Sequence, residues 1–312
     1  MHRGSVTPIA LVLASTLASV FAPGAAADPD DDGHELPRKP DASLATMFRG
    51  PFRSARLFAM PTTDVVGAYI LTISGEGSLL QSPGVLTSAG VLAIGFGDIA
   101  QLEYRHTEAI GVTGLNAPVP AAGVQLKIPI PEYPNVPAFG VAFRLGVPRS
   151  EVLEGKRVDE TVTDLYLVGR LRLSAAPWLT LHGGARISSA KAVPAAPDPS
   201  VQRTLFLPAA GFEIAMNRWA TIAGEVAVAP QFQWMPEVQA APAISRGLLG
   251  RIGMKWHLLP SFVLEGSLGY QLDDAAPTAG FDAVVTWDIR LGAAVFVPWG
   301  ALACRAVGVF CN

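Results

Sequence analysis

The chain has 312 residues, of which 50% are hydrophobic and only 16% are charged, and its formal net charge is -3. Soluble globular domains carry about 25% charged residues, so this composition disfavours an ordinary soluble domain. A slightly acidic chain also lacks the basic surface that nucleic-acid binding requires, and we expect no nucleic-acid partner.

The N-terminus has the parts of a secretory signal peptide. His2 and Arg3 precede an apolar run over residues 9–22, and the small residues Ala25 to Ala27 precede Asp28. These features predict a cleaved signal peptide over residues 1–27. An uncleaved anchor helix is disfavoured because the apolar run is short and ends in Pro-Gly.

Residues 28–63 show no hydrophobic period. The stretch DPDDDGHELPRKPD is charged and rich in proline, which predicts a flexible segment. The following stretch, MFRGPFRSARLF, interleaves three arginines with three phenylalanines. Two interpretations remain for it: a partly ordered connection to the first strand, which we favour, or a segment that docks inside a pore or binds a partner.

From Asp64 onward, apolar and polar residues alternate with the period of two that is typical of strands. Several of the alternating segments exceed ten residues, which is long for a soluble sheet, whereas a tilted transmembrane strand needs about 9–11 residues. The predicted strands, about twelve in number, span residues 64–74, 87–97, 99–107, 121–130, 138–147, 161–174, 178–188, 204–216, 219–229, 244–258, 261–272 and 281–297.

The segment TWDIRLGAAVFV, residues 286–297, has two different faces. Trp287 and Leu291 share an apolar face, whereas Asp288 and Arg290 lie on the opposite face. An apolar face can contact lipid, but backbone groups in hydrocarbon need internal partners, so strands span a membrane only as a closed barrel. The sequence therefore predicts an all-β fold: a closed antiparallel up-and-down transmembrane β-barrel over residues 64–297.

The connections between the predicted strands are alternately short and long, as in a barrel with short turns at one end and longer loops at the other. The short links are predicted at 97–98, 131–137, 174–178, 216–219 and 258–261. The long links are predicted at 75–86, 108–120, 148–160, 189–203, 230–243 and 273–280. Trp178, Trp219, Trp256 and Trp299 adjoin short links or follow the last strand, which predicts an aromatic girdle at one membrane interface.

These features together resemble Gram-negative outer-membrane β-barrel proteins, although no diagnostic motif identifies one family among them. The resemblance implies a location in the outer membrane, contact with its lipids and insertion by the barrel-assembly machinery. Such proteins usually end on an aromatic residue, whereas here Phe310 stands two places before the final Asn312. Residues 298–312 are therefore predicted to be a tail added after the last strand.

One face of the predicted strands would line the lumen and carry nine basic and six acidic residues. Such a lining favours anionic solutes, although the same charges could pair across strands and fill the tube. The lumen candidates are Glu103, Arg105, Lys127, Arg144, Asp164, Arg170, Arg172, Arg186, Glu213, Glu225, Arg251, Lys255, Glu265, Asp288 and Arg290.

The sequence predicts no catalytic, cofactor or metal site. His182 and His257 are inward candidates, but no hydrolase or metalloprotease spacing accompanies them, and a hydrogen-bonded wall histidine is the favoured interpretation. Cys304 and Cys311 are the only cysteines, and after export they could form a disulfide in the tail or remain free thiols.

We therefore expect a narrow pore or transporter for small solutes. A barrel of twelve strands lies between those filled by side chains and those with an aqueous channel, so an open or a filled lumen is equally compatible. The alternatives are a plugged structural or adhesion barrel that acts through loops such as 108–120 and 189–203, and a soluble periplasmic β-protein, which the apolar composition disfavours. The oligomeric state stays open.

Overall fold

The computed structural model describes residues 54–82, 86–110, 120–129, 133–153, 155–234, 237, 239–272 and 287–307. Within these ranges the chain forms thirteen strands followed by one helix. The elements are β1 (Leu71–Ser82), β2 (Leu86–Phe96), β3 (Ala100–Ile110), β4 (Ala121–Lys127), β5 (Ala138–Gly146), β6 (Arg149–Leu153), β7 (Lys156–Leu173), β8 (Ala176–Pro194), β9 (Val201–Asn217), β10 (Ala220–Gln233), β11 (Ala243–Leu259), β12 (Phe262–Gln271), β13 (Trp287–Val297) and α1 (Trp299–Val307).

The strands form a closed antiparallel barrel. Consecutive strands pair with each other, β1 pairs with β13, and β5 pairs with β7. β6 pairs with the first residues of β7 and continues the row of β5 beyond Val147 and Pro148. Proline has no backbone N–H to donate, which accounts for the break between them. The thirteen strands thus occupy twelve positions in the wall, and the predicted up-and-down barrel of about twelve strands is confirmed.

The two ends of the barrel differ in their connections. At one end, β2–β3, β7–β8, β9–β10 and β11–β12 are joined by turns of two or three residues, as predicted, whereas the link between β4 and β5 spans residues 128–137. At the opposite end, residues 195–200 and 234–242 join β8–β9 and β10–β11, but only two or three residues separate β6 from β7 and β1 from β2, so the predicted alternation of short and long links holds in part. We call the first of these ends the short-turn end and the opposite one the long-loop end. The tail begins at the short-turn end, where β13 ends at Val297 and α1 follows.

The alternation in β13 separates an outer face from an inner face, as the sequence predicts. Asp288 is only 3% exposed, whereas Leu291 on the opposite face is 50% exposed. The same division recurs around the wall, with exposed apolar residues such as Leu102, Leu167 and Leu268 outside. The barrel therefore has an apolar exterior, and its buried charges face the lumen.

The apolar exterior ends abruptly toward the long-loop end. Its last row on β7, β8 and β9 consists of three residues in register, Leu165, Ile187 and Phe206. On the same face of these strands, the next row toward the long-loop end is polar and consists of Thr163, Ser189 and Thr204. Leu179 and Ile187 are eight positions apart along β8, about 26 Å of strand at about 3.3 Å per residue. Tilted by about 40°, this row covers about 20 Å of the membrane thickness, most of the apolar band of about 25 Å that is typical of such barrels.

Two sets of predicted boundaries differ from the structure. The first strand is predicted at 64–74 but begins at Leu71 and extends to Ser82, so much of the predicted link 75–86 is strand. The links predicted at 148–160 and 189–203 are largely strand residues that continue the wall beyond the apolar band, and strand residues also take up both ends of the link predicted at 230–243. Residues 148–160 are rich in charged side chains and residues 189–203 in Ala and Pro, so their alternation is weak, but neighbouring strands supply their hydrogen-bond partners. Residues 273–286 lie outside the described ranges.

Ion pairs stabilise the part of the wall beyond the apolar band. Arg149 on β6 forms a buried ion pair with Glu160 on β7, with Nη2 and Oε2 separated by 2.6 Å. On the outer face of the same hairpin, hydrogen bonds from Ser150 and Arg157 lower the pKa of the Asp159 carboxyl. The β6–β7 hairpin is therefore an ordered rim at the long-loop end.

Helix α1 lies against the start of the barrel. The Trp299 ring contacts the Tyr69 ring edge to face, with centroids 5.6 Å apart, and Gly300 N donates to Tyr69 O. Cys304 in α1 is disulfide-bonded, while Cys311 lies outside the described residues. Among the described residues, no helix is long and apolar enough to cross a membrane.

The tryptophans of the predicted girdle all lie at the short-turn end. Trp178 and Trp256 are exposed near the ends of β8 and β11, Trp219 is exposed in the β9–β10 turn, and Trp299 starts α1. This placement is compatible with a membrane interface, and their interfacial role stays a prediction.

Arginine at an outward position inside the apolar band is expected to destabilise the barrel. Leu167→Arg places a charge against lipid and is expected to lower the free energy of unfolding by about 2 kcal/mol. Thr161→Arg on the same face of β7 lies beyond the band and is expected to change it by less than about 1 kcal/mol. Urea titration of protein refolded in lipid vesicles measures both values. Equal losses for the two variants would contradict the position of the band.

Candidate functional site

A hairpin formed by residues 54–66 lies inside the barrel, and we call it the lumen hairpin. Thr62 N donates to Ala55 O and Leu57 N donates to Met60 O, both at 2.9 Å, so the chain reverses over residues 57–60. Residues 67–70 then lead to β1 at the short-turn end. The tip of the hairpin points into the barrel, and both of its arms lead back to the short-turn end.

The tip is held by one buried carboxylate of the wall. The backbone N–H groups of Phe58, Ala59 and Met60 donate to Glu225 on β10 over 3.1, 2.9 and 3.1 Å. Glu225 is only 6% exposed, and a buried carboxylate is stable only when donors or positive charges surround it. Three consecutive amides supply those donors, so Glu225 and the hairpin satisfy each other.

Two glutamines of the wall hold the second arm of the hairpin through its backbone. Gln125 Nε2 on β4 donates to Thr62 O at 2.8 Å and to Asp64 O at 2.6 Å. On β3, Gln101 Oε1 accepts the N–H of Val66 at 2.8 Å. Gln101 and Gln125 are each 1% exposed, so these amides serve the hairpin and the wall rather than water.

Two basic residues on opposite sides of the wall complete the polar contacts. Lys255 Nζ on β11 donates to Arg56 O at 2.8 Å. Arg170 Nη1 on β7 forms an ion pair with Asp64 at 2.5 Å. The sequence predicts Asp64 at the start of a strand, but the structure places it in the lumen because its carboxylate compensates the buried charge of Arg170.

The apolar side chains of the hairpin pack against small or aromatic wall residues. Leu57, Phe58 and Met60 are almost fully buried in one cluster with residues of four strands, namely Ala142, Tyr166, Val168, Ala209 and Ala223. At two wall positions only glycine leaves room for the hairpin. A Cβ on Gly211 would lie 2.3 Å from Leu57 Cδ1, and one on Gly95 would lie 2.1 Å from Val66 O.

The remaining charges of the lumen form networks across the wall strands. Arg144 and Glu103 pair with Nε and Oε1 2.5 Å apart, and Arg144 also contacts the Tyr166 hydroxyl. The same hydroxyl accepts from Arg186 at 2.6 Å, and Arg186 pairs with Asp164 at 3.1 Å. These pairs join β3, β5, β7 and β8.

A second network joins the last strands to the first. Asp288 on β13 accepts from Arg251 Nη2 on β11 at 2.7 Å and from Arg290 Nε at 2.5 Å. Arg290 in turn lies 3.7 Å from Glu76 on β1. The Asp288–Arg290 pair predicted to face inward therefore bridges the seam where β1 and β13 close the barrel.

A third group lies beside the hairpin. His182 Nε2 and Glu213 Oε2 are 3.1 Å apart, and Lys255 Nζ lies 4.0 Å from both Glu213 and Glu265. A histidine paired with a carboxylate in a wall is the hydrogen-bonded arrangement that the sequence favours. In the part of the chain that the structure describes, no group of His, Cys, Asp and Glu could hold a metal ion.

The remaining three lumen candidates also lie at inward positions of their strands. Arg105 shares the inward face of β3 with Gln101 and Glu103, and its side chain is half-buried. Lys127 ends β4 and Arg172 lies near the end of β7, both at the short-turn end and half-buried. Every candidate thus occupies the inward parity of its strand, and a role in solute passage stays a prediction for each.

Beyond the hairpin, toward the long-loop end, the lumen is lined by an apolar cluster. Its members from β7, β8 and β9 are Val158, Val162, Ala190, Ala192, Leu205 and Leu207. Phe232, Trp234 and Ile244, from the β10–β11 hairpin, pack against them. Trp234 is only 1% exposed, and Lys156 Nζ lies 5.7 Å from its ring centroid. The lumen therefore has a polar layer around the hairpin and an apolar layer above it.

Space remains between the lumen hairpin and the wall. A cavity of about 40 Å³ is lined by hairpin residues, including Arg56, and by wall residues such as Lys255, His257, Glu265 and Phe296. A water molecule needs about 10–15 Å³ of such space, so the cavity can hold a few waters. Beside the hairpin, near β1, β12 and β13, the lumen thus keeps a cavity large enough for water molecules.

The wall is closed, its exterior is apolar and its interior carries the charged residues, and this combination identifies the fold. The chain has the fold of an outer-membrane β-barrel. No protein-family model and no curated protein matches it. Among solved structures, the NanC porin (10% identity, TM-score 0.44) and the KdgM porin (11%, 0.43) each match 72% of this chain and 98% of theirs.

The translocator domain of the autotransporter NalP from Neisseria meningitidis also matches, at 13% identity and a TM-score of 0.41, over 72% of this chain and 86% of that domain. At such identities and TM-scores, the function of this barrel has to be argued from its own residues.

Proposed function

We propose that the chain is a narrow passage for small solutes in the outer membrane, and that the lumen hairpin occludes it in this structure. The observation that carries the proposal is that the wall closes through its own strand pairings, without any strand contributed by the hairpin. Barrels of about eight strands are filled by their side chains, whereas twelve positions enclose more space. Here the hairpin occupies the polar layer of that space, so its withdrawal would leave room for water and small solutes there, below the apolar layer that contains Trp234.

The charges of the wall support passage of polar solutes. Glu225, Arg170 and Lys255 belong to β10, β7 and β11 of the closed ladder, so we expect their backbone positions to be retained when the hairpin withdraws. Basic residues outnumber acidic ones among the lumen candidates, nine to six. We infer a weak preference for anions, and small solutes as the class that fits.

The proposed location includes an orientation. A chain exported through its signal peptide and inserted from the periplasm would place the short-turn end, with α1 and both arms of the hairpin, on the periplasmic side. The rim formed by β6–β7, β8–β9 and β10–β11 would then face outward. Insertion by the barrel-assembly machinery and contact with outer-membrane lipids belong to the same proposal.

Planar-bilayer recording of the refolded protein tests the passage. We expect rare, short openings above a closed baseline, because the hairpin occupies the lumen most of the time. The ratio of anion to cation permeability in a salt gradient is expected to exceed one. A membrane that stays at background conductance, both for the native chain and for variants whose hairpin is displaced, would contradict the proposal.

A further inference from the structure

The lumen binds the hairpin mainly through main-chain atoms. Glu225 accepts three backbone N–H groups, Gln125 donates to two backbone carbonyls, and Gln101 accepts one backbone N–H. Lys255 donates to a further carbonyl, that of Arg56. These groups are present in every peptide, whatever its side chains. The wall residues thus hold a polypeptide segment as a peptide-binding groove does.

Side-chain recognition of the hairpin is limited to a few contacts. Leu57 occupies the space left by Gly211, Asp64 pairs with Arg170, and Arg56 donates to the Ser74 hydroxyl. The wall around the tip is otherwise made of small or aromatic residues such as Ala142, Ala223 and Tyr166. Phe58 and Met60, each 3% exposed, pack against this surface mainly through apolar contacts, which are not directional, so we expect other apolar side chains to be accepted in their place.

We propose that the lumen is a peptide-binding site which the chain's own residues 54–66 occupy, and that short peptides entering the barrel compete with the lumen hairpin for Glu225, Gln125 and Gln101. The inference rests on the proposed passage and names its solute class. A peptide that displaces the tip takes over the donors that Glu225 requires, so the buried carboxylate is not left unsatisfied during the exchange. Peptide binding and opening of the passage are therefore coupled.

The test uses the full chain with the hairpin displaced and the wall unchanged. Leu57→Asp puts a carboxylate into an apolar cluster whose pocket also borders Glu225, since a Cβ on Gly211 would lie 3.5 Å from Glu225 Cβ. Met60→Asp is a second displacing variant, and Leu57→Met is the matched control that retains the packing. An added Thr63→Cys, at a hairpin position that is 0% exposed when the hairpin is docked, reports the position of the hairpin through its reaction with a membrane-impermeant maleimide.

A synthetic peptide with the sequence of residues 54–66 is then added to the conducting Leu57→Asp channel. We expect a concentration-dependent block of the current, and little loss of block with a scrambled peptide. N-methylation of the peptide amides at Ala59 and Met60 removes hydrogen bonds to Glu225 and is expected to weaken the block by at least about tenfold. A neutral linear oligosaccharide of similar length is expected not to block.

The possible outcomes distinguish failure of the proposed peptide site from failure of the proposed passage on which it rests. A conducting variant that the peptide does not block, or that the N-methylated peptide or the oligosaccharide blocks equally well, overturns the peptide site and leaves the passage standing. A hairpin that stays protected from maleimide in both displacing variants overturns the competition. Background conductance in a variant whose hairpin is labelled and therefore displaced overturns the proposed passage. The peptide site then also fails as the solute site of that passage.

Discussion

Gly95→Val is expected to raise the conductance of the barrel about tenfold or more. Gly95 lies on the inward face of β2, where a Cβ would lie 2.1 Å from both Val66 O and Gly67 O. Both atoms are backbone at the root of the lumen hairpin, so no side-chain rotation relieves the overlap. The hairpin root has to move, which removes the Val66–Gln101 hydrogen bond. Overpacking of about 1–3 kcal/mol corresponds to an equilibrium shift of about 5- to 150-fold.

The same strand offers a matched control. Gly90 faces outward on β2, and a Cβ there would meet nothing within 4 Å. Gly90→Val is therefore expected to leave the conductance at the native level while adding the same side chain to the same strand. Single-channel recording compares the two variants, with maleimide labelling of Thr63→Cys, a position that is buried in the docked hairpin, as the independent readout. Native conductance in a Gly95→Val barrel whose hairpin is labelled would contradict occlusion by the hairpin.

Asp288→Leu is expected to lower the free energy of unfolding by about 3–5 kcal/mol, the loss typical when one partner of a buried ion pair is removed. Asp288 is 3% exposed and is the acceptor that Arg251 and Arg290 share. Without it, the inward guanidinium groups of Arg251 on β11 and Arg290 on β13 share no carboxylate across β12, and Glu76 lies 3.7 Å from Arg290. The wall is expected to weaken at the β1–β13 seam.

Urea titration of the refolded barrel, followed by its heat-dependent shift on gel electrophoresis, measures this loss. Asp98→Asn is the control, because Asp98 is exposed in the β2–β3 turn. It is expected to change the free energy by less than about 0.5 kcal/mol. A second variant, Asp288→Asn, keeps the shape of the side chain and some of its hydrogen bonds. Its loss of unfolding free energy is expected to lie between those of Asp288→Leu and Asp98→Asn. A loss for Asp288→Leu as small as that of the control would show that the network contributes little.

The wall could be predicted from the sequence because its signal is local. Each strand buries one face and exposes the other. The apolar neighbours Trp287, Ile289 and Leu291 therefore indicate that the side chains of Asp288 and Arg290 face the lumen. The strand count and the inward parity of the lumen candidates follow from that alternation. The sequence predicts the first strand at 64–74 rather than at Leu71–Ser82, because LTISGEGSLLQS presents Gly and Ser where other strands present Leu or Val.

The lumen hairpin could not be predicted in the same way. Its partners are distant in sequence: Phe58 and Glu225 are 167 positions apart, and Asp64 and Gln125 are 61 positions apart. No periodicity links such positions, and docking was the less favoured interpretation of the Arg–Phe stretch. One signal was present nonetheless: Gly95 and Gly211 lie at inward positions where neighbouring strands carry larger residues. A glycine on the lumen face indicates that another backbone or side chain passes close by.

Both arms of the lumen hairpin leave through the same end of the barrel, and this has a mechanical consequence. Tension applied to the chain before Ser54 would load the Arg56–Lys255 contact first and the amides held by Glu225 afterwards, one after another. The hairpin would therefore unbind contact by contact and would not leave the lumen as one rigid unit. The force needed to clear the lumen would then be set by the strongest single contact and not by the sum of all of them.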